Sequence, residues 1–232
     1  GPNRAALRLP GLPPLRLFGF VHNFTDVVKL MWKEGFAPAA AHPLFYRLGP
    51  AIPVVAAILT PAFIPWFAPI VIEGRTLTGA VVETDLGLLA LFAVGGLSVY
   101  GVLLGAWGSA SKFPLLGGVR AVSVMLSYEV SLGLACLGMV VIGGGFDLTG
   151  IVAWQEAHTW GVVVQPVAFV LVLFCVFAET GRNPCDVVEG ESELVGGFHT
   201  EYSSVRFALY FMGEYAHIVV ASALVSTLFL GG

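Results

Sequence analysis

Two glutamates stand where carboxylates are expensive. Glu129 lies inside the apolar run Val119–Ile142 and Glu214 inside Val205–Leu230. A carboxyl group in hydrocarbon must be protonated, paired or next to water. A group that moves among those states can carry a proton. Glu129 follows Arg120 by nine residues, about 13 Å along a helix and so near the middle of a ~30 Å hydrocarbon layer. Glu214 has company: Arg206, Tyr210 and Glu214 recur every four residues and His217 follows at i+3. Guanidinium, phenol, carboxylate and imidazole then share one helix face. That stripe suits proton transfer, and it equally suits hydrogen-bonded glue between helices. A neutral, hydrogen-bonded structural glutamate is the corresponding alternative for Glu129.

Between two apolar runs, Gly161–Ala178 and Val205–Leu230, lies the polar stretch Glu179–Ser204. It holds Glu179, Asp186, Glu189, Glu191, Glu193 and Glu201, six of the chain's 15 acidic residues. Glu179 and Arg182 are close enough in sequence to pair at a helix end. Glu189, Glu191 and Glu193 alternate, so in extended chain they share a face and raise one another's proton affinity. Gly190, Gly196 and Gly197 leave this backbone free to rearrange. The stretch is either a solvated connection or part of a proton path.

The elements that must position these groups are membrane helices. Of 232 residues, 57% are hydrophobic and only 11% charged, against roughly 25% charged in globular proteins, and the mean hydropathy is +0.87. Apolar runs predict an all-α polytopic membrane protein with about five crossings: Leu48–Phe67, Leu86–Trp107, Val119–Ile142, Gly161–Ala178 and Val205–Leu230. Pro50, Pro53, Pro61 and Pro65 should kink or unwind the first. Residues 69–85 and 108–118 read as connections. So do residues 143–160, with a short helix at Leu148–His158.

As domains, residues 1–47 form a cytoplasmic-side segment, 48–178 four spans, 179–204 the acidic loop and 205–230 a last span, all in one membrane domain 1–232. In the first segment Phe20, Phe24, Val27, Val28, Met31 and Trp32 follow helical spacing, with Asp26, Lys29 and Lys33 opposite. This is the pattern of an amphipathic helix lying in the membrane interface; packing on other protein is the alternative. Alternating crossings put ten of the eleven lysines and arginines on one side, leaving Arg75 on the other. The positive-inside rule then turns the acidic loop to the cytoplasm, or to a mitochondrial matrix.

Cys136 and Cys175 fall in apolar runs and Cys185 in the loop, without CxxC or Cys/His ligand spacing. Neither an iron–sulfur cluster nor zinc is expected in this chain. With no initiator methionine and a Gly231–Gly232 end, truncation at both ends is the expectation.

The residues now assembled resemble a known family. AETGRNPCDVVEGESELVGGFHTEYSS with RFALYFMGEYAHIVVASALVSTLFLGG, preceded in order by GPNR, TDVVKLMWKE and WGSASKFPLLGGVRAVSVMLSYEVSLGL, is similar to membrane subunit 1, the H-subunit, of respiratory complex I, the NADH:quinone oxidoreductase. The resemblance covers essentially the whole chain and implies an internal fragment of such a subunit. It implies a quinone-access tunnel to which Arg4, Arg8, Phe20, Phe24, Asp26, Lys29, Arg182 and Asp186 contribute. It also implies a proton-coupling path through Glu129, Glu179, Glu189, Glu191, Glu193, Glu201, Tyr202, Arg206, Tyr210, Glu214 and His217.

Quinone is then the substrate, and NADH, FMN and iron–sulfur clusters belong to partner subunits, so this chain alone holds no complete active site and no metal. The implied partners are the quinone-site subunits of the hydrophilic arm, other membrane subunits and lipid, with no nucleic acid; the implied location is the cell inner membrane. HNFTD stands where the family has Gln-Pro before Ala-Asp, Cys185 where it has Phe, and Val188 where it has Pro. These departures bear on the quinone contacts, while every loop acid is kept. Two other readings stay open, a membrane anchor of a related hydrogenase or ferredoxin-linked complex and a purely structural scaffold for the peripheral arm.

Overall fold

The computed structural model describes residues 25, 28–72, 75–77, 79–181, 185 and 196–231. Within them the chain is a bundle of apolar helices, as its composition predicts. Helix α1 spans Pro43–Leu59 and tightens into a 3₁₀ turn, Thr60–Phe63. Helices α2 (Gly87–Gly95) and α3 (Leu97–Gly108) form one path broken at Gly96. Then come α4 (Lys112–Gly143), α5 (Leu148–Ala157), the short α6 (Gly161–Val164), α7 (Pro166–Glu179) and α8 (Val205–Phe229). Pro43–Phe63, Gly87–Gly108, Lys112–Gly143 and Val205–Phe229 are long and apolar enough to cross a membrane.

The structure redraws several expected boundaries. α4 begins at Lys112, not Val119, because Pro114 falls in its first turn, where a missing N–H costs nothing. It closes on Gly144, whose φ of +79° makes the left-handed cap. The expected span Gly161–Ala178 is not one helix: Gln165 precedes Pro166 and leaves the helical region at φ −132°, ψ 66°. α7 is therefore a shorter apolar helix of 14 residues, about 21 Å long. The connection 69–85 contains an antiparallel hairpin, β1 (Ile70–Ile72) with β2 (Arg75–Leu77), pairing Ile70 with Leu77. The short helix at Leu148 forms as expected, with Asp147 accepting from the amides of Thr149 and Gly150.

Packing divides the bundle into two cores. Leu132, Cys136, Met139, Val172, Cys175, Leu224 and Phe229 belong to the larger, near the α5 end. Tyr46, Val102, Ala121, Tyr202 and Tyr210 form the smaller, at the opposite end. Between them, α1 and α3 approach so closely that no side chain fits at Gly49 or Gly101, the small-residue contact that membrane helices favour. Gln155, 2% exposed, ties the larger core's rim: its amide nitrogen donates to Thr227 O at 2.8 Å and its oxygen accepts from Gly161 N at 2.9 Å.

The outside is apolar too. Val141 and Val167 are 80% and 72% exposed on the outer surface of the bundle, a lipid face rather than a wet one. Trp32 and Trp107 mark one end and Trp66, Trp154 and Trp160 the other, as interfacial anchors do.

Candidate functional site

Glu129 on α4 and Glu214 and His217 on α8 fall, along their helices, between the residues of the two cores. Ala121 and Tyr210 belong to the smaller core, Leu132 and Val220 to the larger. At this level the bundle holds a partly open cavity of about 180 Å³. Glu179, Glu214, His217, His199 and Tyr210 supply polar wall, while Pro53, Val99, Met125 and Phe211 are among its apolar lining. Space for a few water molecules beside carboxylates is what proton exchange requires.

The central contact joins two helices that the acidic loop separates in sequence. His217 Nε2 on α8 lies 3.1 Å from Glu179 Oε1, the last residue of α7. Both side chains keep only a minor exposure, 25% and 13%. The pair satisfies two groups that would each be costly alone. Glu129 stands within electrostatic reach of both. Its carboxylate lies against the helix break: a Cβ added at Gly96 would be 2.7 Å from Glu129 Oε1. Gly96 thus clears the place that the carboxylate occupies.

The helical stripe predicted on α8 divides. Tyr210, Glu214 and His217 face the cavity. Arg206 does not; its guanidinium sits 5.1 Å over the Tyr46 ring, as an arginine in the first turn of a helix can when its long stem reaches sideways. Tyr46 stacks on Tyr202, with ring centroids 4.4 Å apart, and Tyr202 meets Tyr210 edge-on at 5.1 Å. The Tyr202 hydroxyl donates toward Gly105 O at 3.0 Å and the Tyr46 hydroxyl toward Glu201 O at 2.8 Å. Burial pushes the Tyr202 phenol above its ordinary pKa, so it remains a hydrogen-bond donor. Tyr202 and Glu201 therefore fasten the end of the loop to the bundle, Glu201 through its backbone carbonyl.

Of the remaining expected residues, Lys29 is exposed on the helical stretch 28–32. Arg4, Arg8, Phe20, Phe24, Asp26, Arg182, Asp186, Glu189, Glu191 and Glu193 lie outside the described residues. The described partner of Glu179 is His217, where the sequence offered Arg182.

Sequence reasoning missed Gly96, Tyr46, His199 and the pair Ser203–Ser204. His199 packs edge-on against Phe198 and Phe207, at 5.0 and 5.3 Å, and burial lowers its pKa. It enters the cavity wall as a neutral imidazole. Its place in the polar loop disguised it; the flanking Phe198 was the available signal.

Known proteins resemble this chain in sequence. The model of the family described as NADH dehydrogenase matches residues 1–232. The chain is 46% identical over 215 residues to the second H-subunit of the NADH-quinone oxidoreductase of Geobacter sulfurreducens, covering 93% of this chain and 65% of the relative. It is 44% identical over 215 residues to NADH-quinone oxidoreductase subunit 8 of Thermus thermophilus, covering 93% and 58%. With the H-subunit of the NADH-quinone oxidoreductase of Flavobacterium psychrophilum, identity is 41% over 232 residues, 100% of this chain and 65% of the relative. The chain thus spans less than two thirds of the length of these relatives. Matched along its whole length, it belongs to the NADH dehydrogenase family.

Proposed function

We propose that this chain is part of the membrane subunit of a proton-translocating NADH:quinone oxidoreductase, where it borders the route of quinone from the bilayer and holds the first part of the proton-coupling path. The observation that carries this reading is the convergence of Glu129, Glu179, Glu214 and His217 from three helices on one mid-bundle region. The relatives, named as subunits of NADH-quinone oxidoreductase, support it. The net reaction takes two electrons and one proton from NADH, and one further proton from water, to turn quinone into quinol. FMN and iron–sulfur clusters in partner subunits would deliver the electrons.

This chain's contribution is proton handling. Each quinone reduced draws protons and changes the charge near the acidic loop. Glu179, at the loop's edge, feels that change first. A proton gained or lost there alters its bond to His217, and with it the field at Glu129 and Glu214 (charges a few ångströms apart in a low-dielectric interior interact strongly). The cavity lined by Glu179, Glu214 and His217 gives a proton somewhere to go. Positive residues gathered at one end of the bundle (Lys29, Lys33, Arg47, Lys112 and Arg206) favour placing the loop on the cytoplasmic side of an inner membrane.

The test is Glu214→Gln in the intact complex, reading protons moved per NADH oxidised. The expected result is a reduced ratio with electron transfer retained or slowed. An unchanged ratio removes Glu214 from the path.

A further inference from the structure

Ser204 occupies the N-cap position of α8 and does not cap it. A serine there ordinarily takes extended backbone angles and accepts from an amide of the first turn. Here φ is +61° and ψ −142°, and the hydroxyl makes no bond to its own helix. Residues with side chains rarely enter that region of backbone space. The hydroxyl turns to a different helix. It lies 2.6 Å from Lys33 O and 3.1 Å from Leu30 O, sharing its one hydrogen between them. Leu30 lies in the last turn of the helical stretch 28–32 and Lys33 just past it, where a helix leaves its carbonyls unsatisfied.

Two neighbours complete the hold. Ser203 Oγ accepts from Phe36 N at 3.0 Å, and the Tyr46 hydroxyl lies 3.1 Å from Phe36 O. Packing adds little, since Met31, Trp32 and Phe36 are 69%, 83% and 64% exposed. Among the described residues, polar contacts from Ser203, Ser204 and Tyr46 attach residues 30–36 to the bundle. A strained residue persists where its surroundings over-determine it, and such residues gather at clamps and switches.

We infer that Ser204 is a positioning residue: its hydroxyl fixes the spacing between the interfacial stretch 28–36 and the first turn of α8, and so the width of the quinone route beside that stretch. The inference rests on the proposed function, in which this stretch borders the route. Ser204 touches no reacting atom. It acts by holding one helix end against another, at the expense of capping its own.

The experiment uses the intact complex with Ser204→Ala and Ser204→Gly. Spin labels at Trp32→Cys and Met212→Cys, in a Cys185→Ser background, report the spacing. Steady-state kinetics report KM and kcat for a soluble quinone. The expected result for both variants is a broadened label distance and a KM raised about threefold or more, with kcat within about twofold. The glycine variant, free of the backbone strain, should melt above the alanine variant while sharing its kinetics. A label distance unchanged in Ser204→Ala overturns the positioning role. A broadened distance with unchanged KM leaves the clasp and overturns the quinone-route reading on which the inference rests. Should neither variant assemble, Ser203→Ala, which removes only the Phe36 contact, must broaden the same distance or the inference fails.

Discussion

His217 Nε2 and Glu179 Oε1 lie 3.1 Å apart, one on α8 and the other at the end of α7. The nitrogen donates its hydrogen to the carboxylate whether the ring is neutral or charged, provided the hydrogen sits on Nε2. The bond ties together two helices that the acidic loop separates in sequence, next to a cavity that also takes Glu214. A carboxylate so held is fixed in place by a direct side-chain bond.

His217→Asn should weaken proton pumping more than electron transfer, and should weaken it less in a Glu179→Gln background. The expected coupling between the two sites is about 1–2 kcal/mol, since the bond is charge-assisted and both groups retain some exposure. A double-mutant cycle on the thermal stability of the assembled complex measures it. Additive losses would mean that the pair does not act as a unit.

How far the sequence reaches can be judged from these same residues. Glu129, Glu214 and His217 were legible, because charge inside an apolar run is conspicuous. Their meeting with Glu179 was not, because α7 and α8 are joined by the loop and helical spacing says nothing about which helices touch. Most spans were legible for their apolar length. The break at Gln165–Pro166 was hidden inside an unbroken hydrophobic run, and the first two turns of α4 were hidden by Pro114, which reads as a loop residue. Arg206 was assigned to the cavity face by spacing alone; its long stem carries the charge to Tyr46 instead. Gly96 and Ser204 carried no compositional signal at all, since their roles come from what lies across from them.

Gly96→Ala tests the placement of Glu129. The new methyl would stand 2.7 Å from Glu129 Oε1, so the carboxylate must swing away from its present site. The helix itself should tolerate alanine well. The expected outcome is normal assembly with pumping reduced in the manner of Glu129→Gln, and no further loss when the two changes are combined. Full pumping in Gly96→Ala would show that the carboxylate's position is immaterial.

Gly105→Ala should destabilise the smaller core by about 1–3 kcal/mol. A methyl there overlaps the Tyr210 hydroxyl and comes within 3.0 Å of the Tyr202 hydroxyl. Tyr210→Phe removes the first obstacle and should restore part of the loss, leaving the Tyr202 contact. Thermal melts of the single and double variants measure this. Equal melting of Gly105→Ala with and without Tyr210→Phe would contradict the packing described.

His199 supplies a pH dependence with a definite sign. Its ring is half-buried and packs against Phe198, Phe207 and Phe211, and desolvation lowers its pKa from the ordinary 6.5. The unfolded chain therefore takes up this proton more readily than the folded one, and stability rises with pH wherever that holds. The contribution is complete above the ordinary histidine value and is lost as pH falls toward the lowered folded value. Melting temperature should drop on mild acidification, and His199→Phe, which keeps the aromatic packing, should flatten that drop. A His199→Phe complex that keeps the full acid slope would assign the slope to other groups.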